Sequence, residues 1–406
     1  MIQLLLVVGA FALTAASAQA VTGDNFEFRG YFRSGTRANN DDQAGCFHNK
    51  GPVTGNEFRL GNECEDYGEA TLVAHHLKGG AKDPFFRSQL TIAYGPGGYT
   101  QYEPMGANLI EAYIDSGNFF ESTVKYWVGK RFYRDASIHM NDDFYYANIN
   151  GQGAGVYGIE LPTGTLAVAY FLEQANPNQA TVPASPVTNT RLKTHLLDVR
   201  WENLVLNDSQ KFDIWAAYAH NPGGTVVSGT ALTTDYQVTQ GYALGLKHKY
   251  DLGSLGTNAL SLQYGGKLLN GLTLSGTPDA LGSTLIADKN RVRIVEDLVV
   301  QPSEHLGLEF ATRLDRFTGS VDQGTWWDVG ARPIYSFNQY FGVAVEGGVS
   351  SVKFDSDTDA SVLTRFTIAP QIALGPKYFA RPQLRAFYTT SGWRGSAFGA
   401  QGEVWF

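Results

Sequence analysis

The stretch FEFRGYFRS, residues 26–34, decides the fold. Phe26, Phe28 and Phe32 fall on one parity; Glu27, Arg29, Tyr31 and Arg33 fall on the other. A period of two is the period of a strand, whose successive side chains point to opposite faces. One face is therefore apolar and the other carries long charged side chains. Either the charged face meets bulk water, or it lines something wet inside the molecule.

The same alternation returns along the chain. In QKFDIWAAY (210–218), Phe212, Ile214, Ala216 and Tyr218 oppose Lys211, Asp213, Trp215 and Ala217. In LGLEFATRLD (306–315), Leu306, Leu308, Phe310 and Leu314 oppose Glu309, Arg313 and Asp315. In KYFARPQLRAFYT (377–389), Tyr378, Ala380, Leu384, Ala386 and Tyr388 oppose Lys377, Phe379, Arg381, Gln383, Arg385 and Phe387. In FGAQGEVWF (398–406), Phe398, Ala400, Val404 and Phe406 oppose Gln401, Glu403 and Trp405. Strands of soluble proteins average about five or six residues, whereas a strand crossing an outer membrane needs about 9–11. Tyr378 and Tyr388 bracket one apolar face of about 33 Å along the strand, or about 25 Å when tilted, the height of a lipid-facing band. The charged face is too rich in Arg, Glu and Asp for a dry core, so a water-filled interior is predicted.

Breaks such as YGPGGY, NPNQATVPASPVTN, NPGGTVVSG and DSDTDAS separate the strands. The longer ones read as extracellular loops and the tight ones as periplasmic turns. No linker divides the chain. The reading is all-β: a transmembrane antiparallel β-barrel of roughly 16–18 strands at about 22 residues per strand and connection. A secreted sandwich or propeller would alternate too, but with shorter strands and a charge-poor buried face.

Composition agrees. Of 406 residues, 17% are charged and 13% aromatic, and the formal net charge is −8. There is no Lys/Arg run and no basic helix, so nucleic acid is not an expected partner. Residues 1–20, MIQLLLVVGAFALTAASAQA, combine an apolar run with an A-x-A site and read as a signal peptide; residues 21–406 form the barrel domain. A buried N-terminal helix is the alternative. Export leaves Cys46 and Cys64 free to oxidise. A metal site is the competing use of two cysteines, but no second His/Cys pair stands at ligand spacing. No cofactor is expected.

In RLGNECEDYGEA (59–70), Arg59, Glu65, Tyr67 and Glu69 share one parity. They are read as facing the lumen, with Ala70, Leu72 and Ala74 turned to lipid.

Several motifs in fixed order then resemble the maltoporin (LamB-type carbohydrate porin) family. They are GYFRSG (30–35), Cys46, RLGNECEDYGE (59–69), GKRFY (129–133), HMNDDFYY (139–146), GQGAG (151–155), WWDVGARPIY (326–335), RPQLRAF (381–387) and QGEVWF (401–406). The resemblance implies 18 strands, an inward-folded constriction loop, a homotrimer in the outer membrane of a Gram-negative bacterium, and facilitated diffusion of oligosaccharides. It also implies a disulfide between Cys46 and Cys64. It places an aromatic track on Tyr31, Tyr67, Phe379 and Trp405, all on the polar parity. Opposite them it places Arg33, Arg59, Glu69, Asp143 and Tyr145. Such a pairing suits a sugar, whose ring has an apolar C–H face and a rim of hydroxyls that exchange hydrogen bonds with ionised groups. Arg381 and Arg385 also point inward. Leu260 stands where the family often has a further aromatic, and Tyr99 or Tyr102 is the candidate for a ring lent to a neighbouring subunit. Three departures stand out. YRDASIHM places Arg134 and Asp135 at a different spacing, HMNDDFYY has one extra residue, and Ile110 replaces an arginine before the EA of LIEAY.

A sugar-selective porin is the leading reading, and a general diffusion porin is the alternative. An outer-membrane enzyme would need a nucleophile with its base on one rim. His139 beside Asp142 and Asp143 is the one candidate set, and loop folding explains it better. A siderophore receptor lacks room for a plug domain.

Overall fold

The computed structural model describes residues 21–23, 25–39, 46–49, 58–80, 82–98, 106–120, 122–175, 192–228, 232–273, 288–319 and 323–406. The signal-peptide segment, Tyr99 and Tyr102 lie outside them.

Among the described residues, eighteen strands pair in chain order, each antiparallel to the next, from Phe26–Asn39 to Gly395–Trp405. The first and last strands then pair with each other, Tyr31 opposite Trp405 and Arg33 opposite Glu403. The sheet is thereby closed and no edge is left unpaired, the condition for strands to cross lipid. Val21–Gly23 adds a short ribbon on Phe26–Phe28, and the hairpin Gly224–Ser228 with Leu232–Tyr236 forms a separate two-stranded sheet.

The predicted alternation decides which face is which. In Ser361–Ala373, Leu363, Arg365, Thr367, Ala369 and Gln371 are buried, while Phe366, Ile368 and Ile372 are exposed. Leu384 is 63% exposed and Phe398 58%, yet Glu309 and Glu403 on the opposite parity are almost fully buried. Apolar outside and charged inside suits a wall whose outer solvent is lipid. Short turns gather at one end, such as the two residues between Leu192–Asn207 and Gln210–Asn221. The strand ends Asn39, Asn221 and Lys267, each followed by a long connection, lie at the other. The short end is periplasmic by this criterion and the long end extracellular.

Three segments turn into the lumen. The first is the hairpin tip. Lys125–Ile138 pairs with Ala107–Gly117 only up to Lys130, and Asp143–Glu160 pairs with Thr165–Ala175 only from Gly153. Beyond these points the two strands keep each other as partners, through a bulge at Tyr133–Asp135, and lean inward to the turn His139–Asn141. Ala136, Asp142 and Ala147 take left-handed backbone angles where the hairpin bends and turns.

The second segment is 58–64. The ring of Phe58 lies flat on the barrel wall, where a Cβ on Gly330 or Gly348 would come within 2.2 Å of it. Only glycine leaves room for that approach. The third segment is 374–382, at the periplasmic end.

Two expectations are corrected here. The strand predicted over 377–389 begins only at Gln383. Tyr378 is 3% exposed inside the lumen and its hydroxyl donates to Glu309, so it does not mark a lipid boundary, whereas Tyr388 does face outward. The lumen is also drier than predicted. The inward hairpin and Leu268, Leu269 and Leu272 pack with Phe58, Trp215, Val295 and Ala311 into an apolar cluster that fills one side of it. The inward charges there are ion-paired rather than wet.

Candidate functional site: the constriction

The three inward segments meet inside the lumen. The Arg59 N–H donates to the Met140 carbonyl at 2.9 Å, and the Phe58 N–H to Asn141 Oδ1 at 3.1 Å. The Met140 N–H donates to Glu309 Oε1 at 3.1 Å, and the Leu60 N–H to Glu346 Oε1 at 2.9 Å. Wall carboxylates thus satisfy the backbone donors of segments that have no strand partner, which a buried turn requires.

Charge is matched closely at the contact. Arg33 reaches Glu63 at 3.0 Å, Glu65 at 2.5 Å and Asp142 at 2.9 Å. Arg59 reaches Glu63 at 2.6 Å and Glu403 at 2.8 Å, and donates to the Tyr31 hydroxyl at 2.8 Å. Arg381 and Arg385 both reach Glu403 Oε2 at 2.8 Å. Four arginines therefore face Glu63, Glu65, Asp142 and Glu403. Arg381 Nη2 also lies 2.8 Å from His139 Nε2. A guanidinium only donates, so Nε2 is the acceptor.

Rings follow one another along this cluster. Tyr67 and Tyr31 have centroids 6.1 Å apart, and Tyr31 and Trp405 lie 6.5 Å apart, near parallel at 23°. His139 stands edge-on to Trp405 at 5.7 Å and to Phe379 at 5.5 Å. Arg33 lies 5.3 Å over Tyr67, and Arg381 4.2 Å over Trp405. Tyr67 and Trp405 are thus each braced on one side by a guanidinium. Tyr67 donates its hydroxyl to Glu69 at 2.5 Å.

Not every expected residue is placed alike. Tyr31, Tyr67, Glu69, Phe379 and Trp405 are half-buried and face the lumen. Phe379 gets there from the inward turn rather than from a strand. Arg59 is not on the strand with Tyr67, because Glu65–Leu77 begins six residues later; it comes from the inward segment and is 3% exposed. Arg33 is 4% exposed. Both arginines therefore position rings and carboxylates rather than present themselves to solvent. Asp143 is held by Arg313 on the far flank of the hairpin, and Tyr145 is 1% exposed within the apolar cluster. Neither meets the rings. Leu260 is 44% exposed on the lipid side; Ser261 and Gln263 are the inward residues of that strand. Arg134 stacks between Phe132 and Phe144, at 4.1 and 3.5 Å, and Asp135 is bound by Lys247. The Cys46–Cys64 disulfide implied by the resemblance is present and anchors segment 58–64 to the first long loop.

Sequence reasoning missed Asp142 and His139 as members of this site. The signal was the extra residue in HMNDDFYY. It moves the first aspartate, not the second, towards Arg33.

Comparison with known proteins bears on the identity. Among solved structures, the chain is similar to OmpT of Vibrio cholerae, with 11% identity, TM-score 0.47, and 96% of this chain and 100% of that one covered. It is also similar to OpdL of Pseudomonas aeruginosa, with 11% identity, TM-score 0.48 and 94% and 98% covered. The outer membrane channel DcaP of Acinetobacter baumannii matches with 9% identity, TM-score 0.49 and 95% and 99% covered. The model of the LamB porin family matches residues 26–406, which is every strand of the closed barrel. The chain belongs to the LamB porin family and is a porin channel of the outer membrane.

Proposed function

We propose that this channel carries oligosaccharides by facilitated diffusion, with the rings of Tyr67, Tyr31, Trp405 and Phe379 as stacking surfaces. The observation that carries the reading is their unbroken succession at the constriction, each ring 5.5–6.5 Å from the next when His139 is counted as a link. A pyranose can pass its apolar face from ring to ring while its hydroxyls exchange bonds with Glu69 and Asp142. Each stop is weak and the next is near, as passage through a multi-site pore demands. No catalytic role is assigned.

A homotrimer is the proposed assembly. The outer wall carries a depression of about 950 Å³ lined by Ser34, Thr36, Ala386, Ala400 and Gly402, beside Phe341 and Leu384. Small residues let a second wall approach closely in lipid.

The test is current blockade in a planar bilayer across malto-, cello- and sucrose-type sugars. Block that saturates with millimolar sugar is expected. A general diffusion pore would show none with any of them.

A further inference from the structure

Away from the constriction, the periplasmic mouth carries a second group of rings and charges. Phe85, Gly117 and Lys125 lie at one level where three strands begin or end. Gly117 leaves the room that the Lys125 stem and the Phe85 ring occupy, since a Cβ there would meet them at 2.4 and 3.0 Å. The Lys125 ammonium lies 5.3 Å from the Phe85 ring centroid and 6.0 Å from that of Tyr157. Higher on the same strand, Arg131 is ringed by Tyr113, Trp127, Tyr133 and Tyr157 at 5.0–5.6 Å. Two cations thus flank one ring, Tyr157.

Neither has a carboxylate partner among the described residues. Asp115 is taken by Arg87, at 2.7 and 2.9 Å, and by the Tyr157 hydroxyl at 2.8 Å. Glu111 accepts from Gln89, Thr91 and the Phe132 N–H. Arg131 Nη1 is buried with no hydrogen-bond partner, whereas Trp127 Nε1 lies against the wall at Gly155. A cation without a carboxylate partner in a partly desolvated site is unfavourable, and an unmatched buried donor is costly. Both conditions are relieved by an oxyanion. A guanidinium stacked by its face on a ring keeps its N–H edge free for one.

We propose that Lys125 and Arg131, either side of Tyr157 between the periplasmic mouth and the base of the inward hairpin, form an anion-binding subsite with Tyr113 beside it, suited to a sugar that carries a phosphate group. The subsite shares no residue with the ring succession at the constriction and stands or falls apart from the neutral-sugar reading.

The test is current blockade with solute added on the periplasmic side, comparing glucose, glucose 6-phosphate and inorganic phosphate. Glucose 6-phosphate is expected to block at lower concentration than glucose. Lys125→Gln is expected to weaken that block by about tenfold, the scale of one charge-assisted contact, and to leave block by glucose unchanged. The same variant should shift the reversal potential in a KCl gradient towards cation preference. Block by inorganic phosphate equal to that by the phosphosugar would support the oxyanion contact as sufficient. Equal block by glucose and its phosphate in the wild type would overturn the proposal without any variant. So would a Lys125→Gln channel unchanged in both block and reversal potential.

Discussion

Tyr31 sits at the centre of the ring succession and of the ion-pair cluster. Its ring touches Tyr67 and Trp405, and its hydroxyl accepts from Arg59 while lying 3.2 Å from Glu403 Oε1. Replacing it by alanine removes one stacking surface, worth about 1 kcal/mol, and should raise the half-blocking sugar concentration about fivefold. Tyr31→Phe keeps the ring and should leave the block nearly intact; a loss equal to that of Tyr31→Ala would assign the effect to the hydroxyl instead. Arg59 acts differently. It is buried and holds Glu63, Glu403 and Tyr31 together. Arg59→Met leaves those carboxylates short of one cation and should cost about 3 kcal/mol, the lower end for a broken buried pair because Arg33, Arg381 and Arg385 remain. A fall in the urea midpoint of barrel unfolding would register it.

The elements that make the constriction are the inward segments, and they are held by shape as much as by charge. Phe58 occupies the space that Gly330 and Gly348 leave open. Gly348→Val would fill that space, push Phe58 and segment 58–64 off the wall, and is expected to change single-channel conductance while leaving the strands folded. Removing the Cys46–Cys64 bridge as the double serine variant frees a closed loop and should lower stability by about 3 kcal/mol on the chain-entropy model, again read as a urea midpoint. These segments were the least legible part of the sequence. Period two marked the strands well, because each must put apolar groups to lipid and polar groups inward. It could not mark where a strand stops. KYFARP alternates like the QLRAFYT that follows, yet only the second half is strand, and Pro382, without an N–H to donate, stands at the junction. Arg59 was assigned to the strand of Tyr67 for the same reason: parity continues on paper through RLGNEC, where the chain has turned inward.

For the whole molecule, alternation foretold a barrel, and closure then brought together residues far apart in the chain. Tyr31 and Trp405 become register partners across the seam. Parity placed both inward, but their contact follows from the closing register, which no local pattern encodes. Parity was equally silent on which inward residues stay wet. Tyr145 and Trp215 are lumen-side and fully packed, because the hairpin from Lys125 to Glu160 lies over that part of the wall. Tyr67, Tyr31, Trp405 and Phe379 stay half-buried. The most direct measurement is a maltooligosaccharide current-block titration of the wild-type channel beside the Tyr31→Ala/Trp405→Ala double variant. Millimolar block by the wild type, lengthening in dwell time with sugar length and weakened by tenfold or more in the double variant if each ring contributes about 1 kcal/mol, is the expected result. Equal block in both channels, or none in either, would contradict a sugar path along these rings.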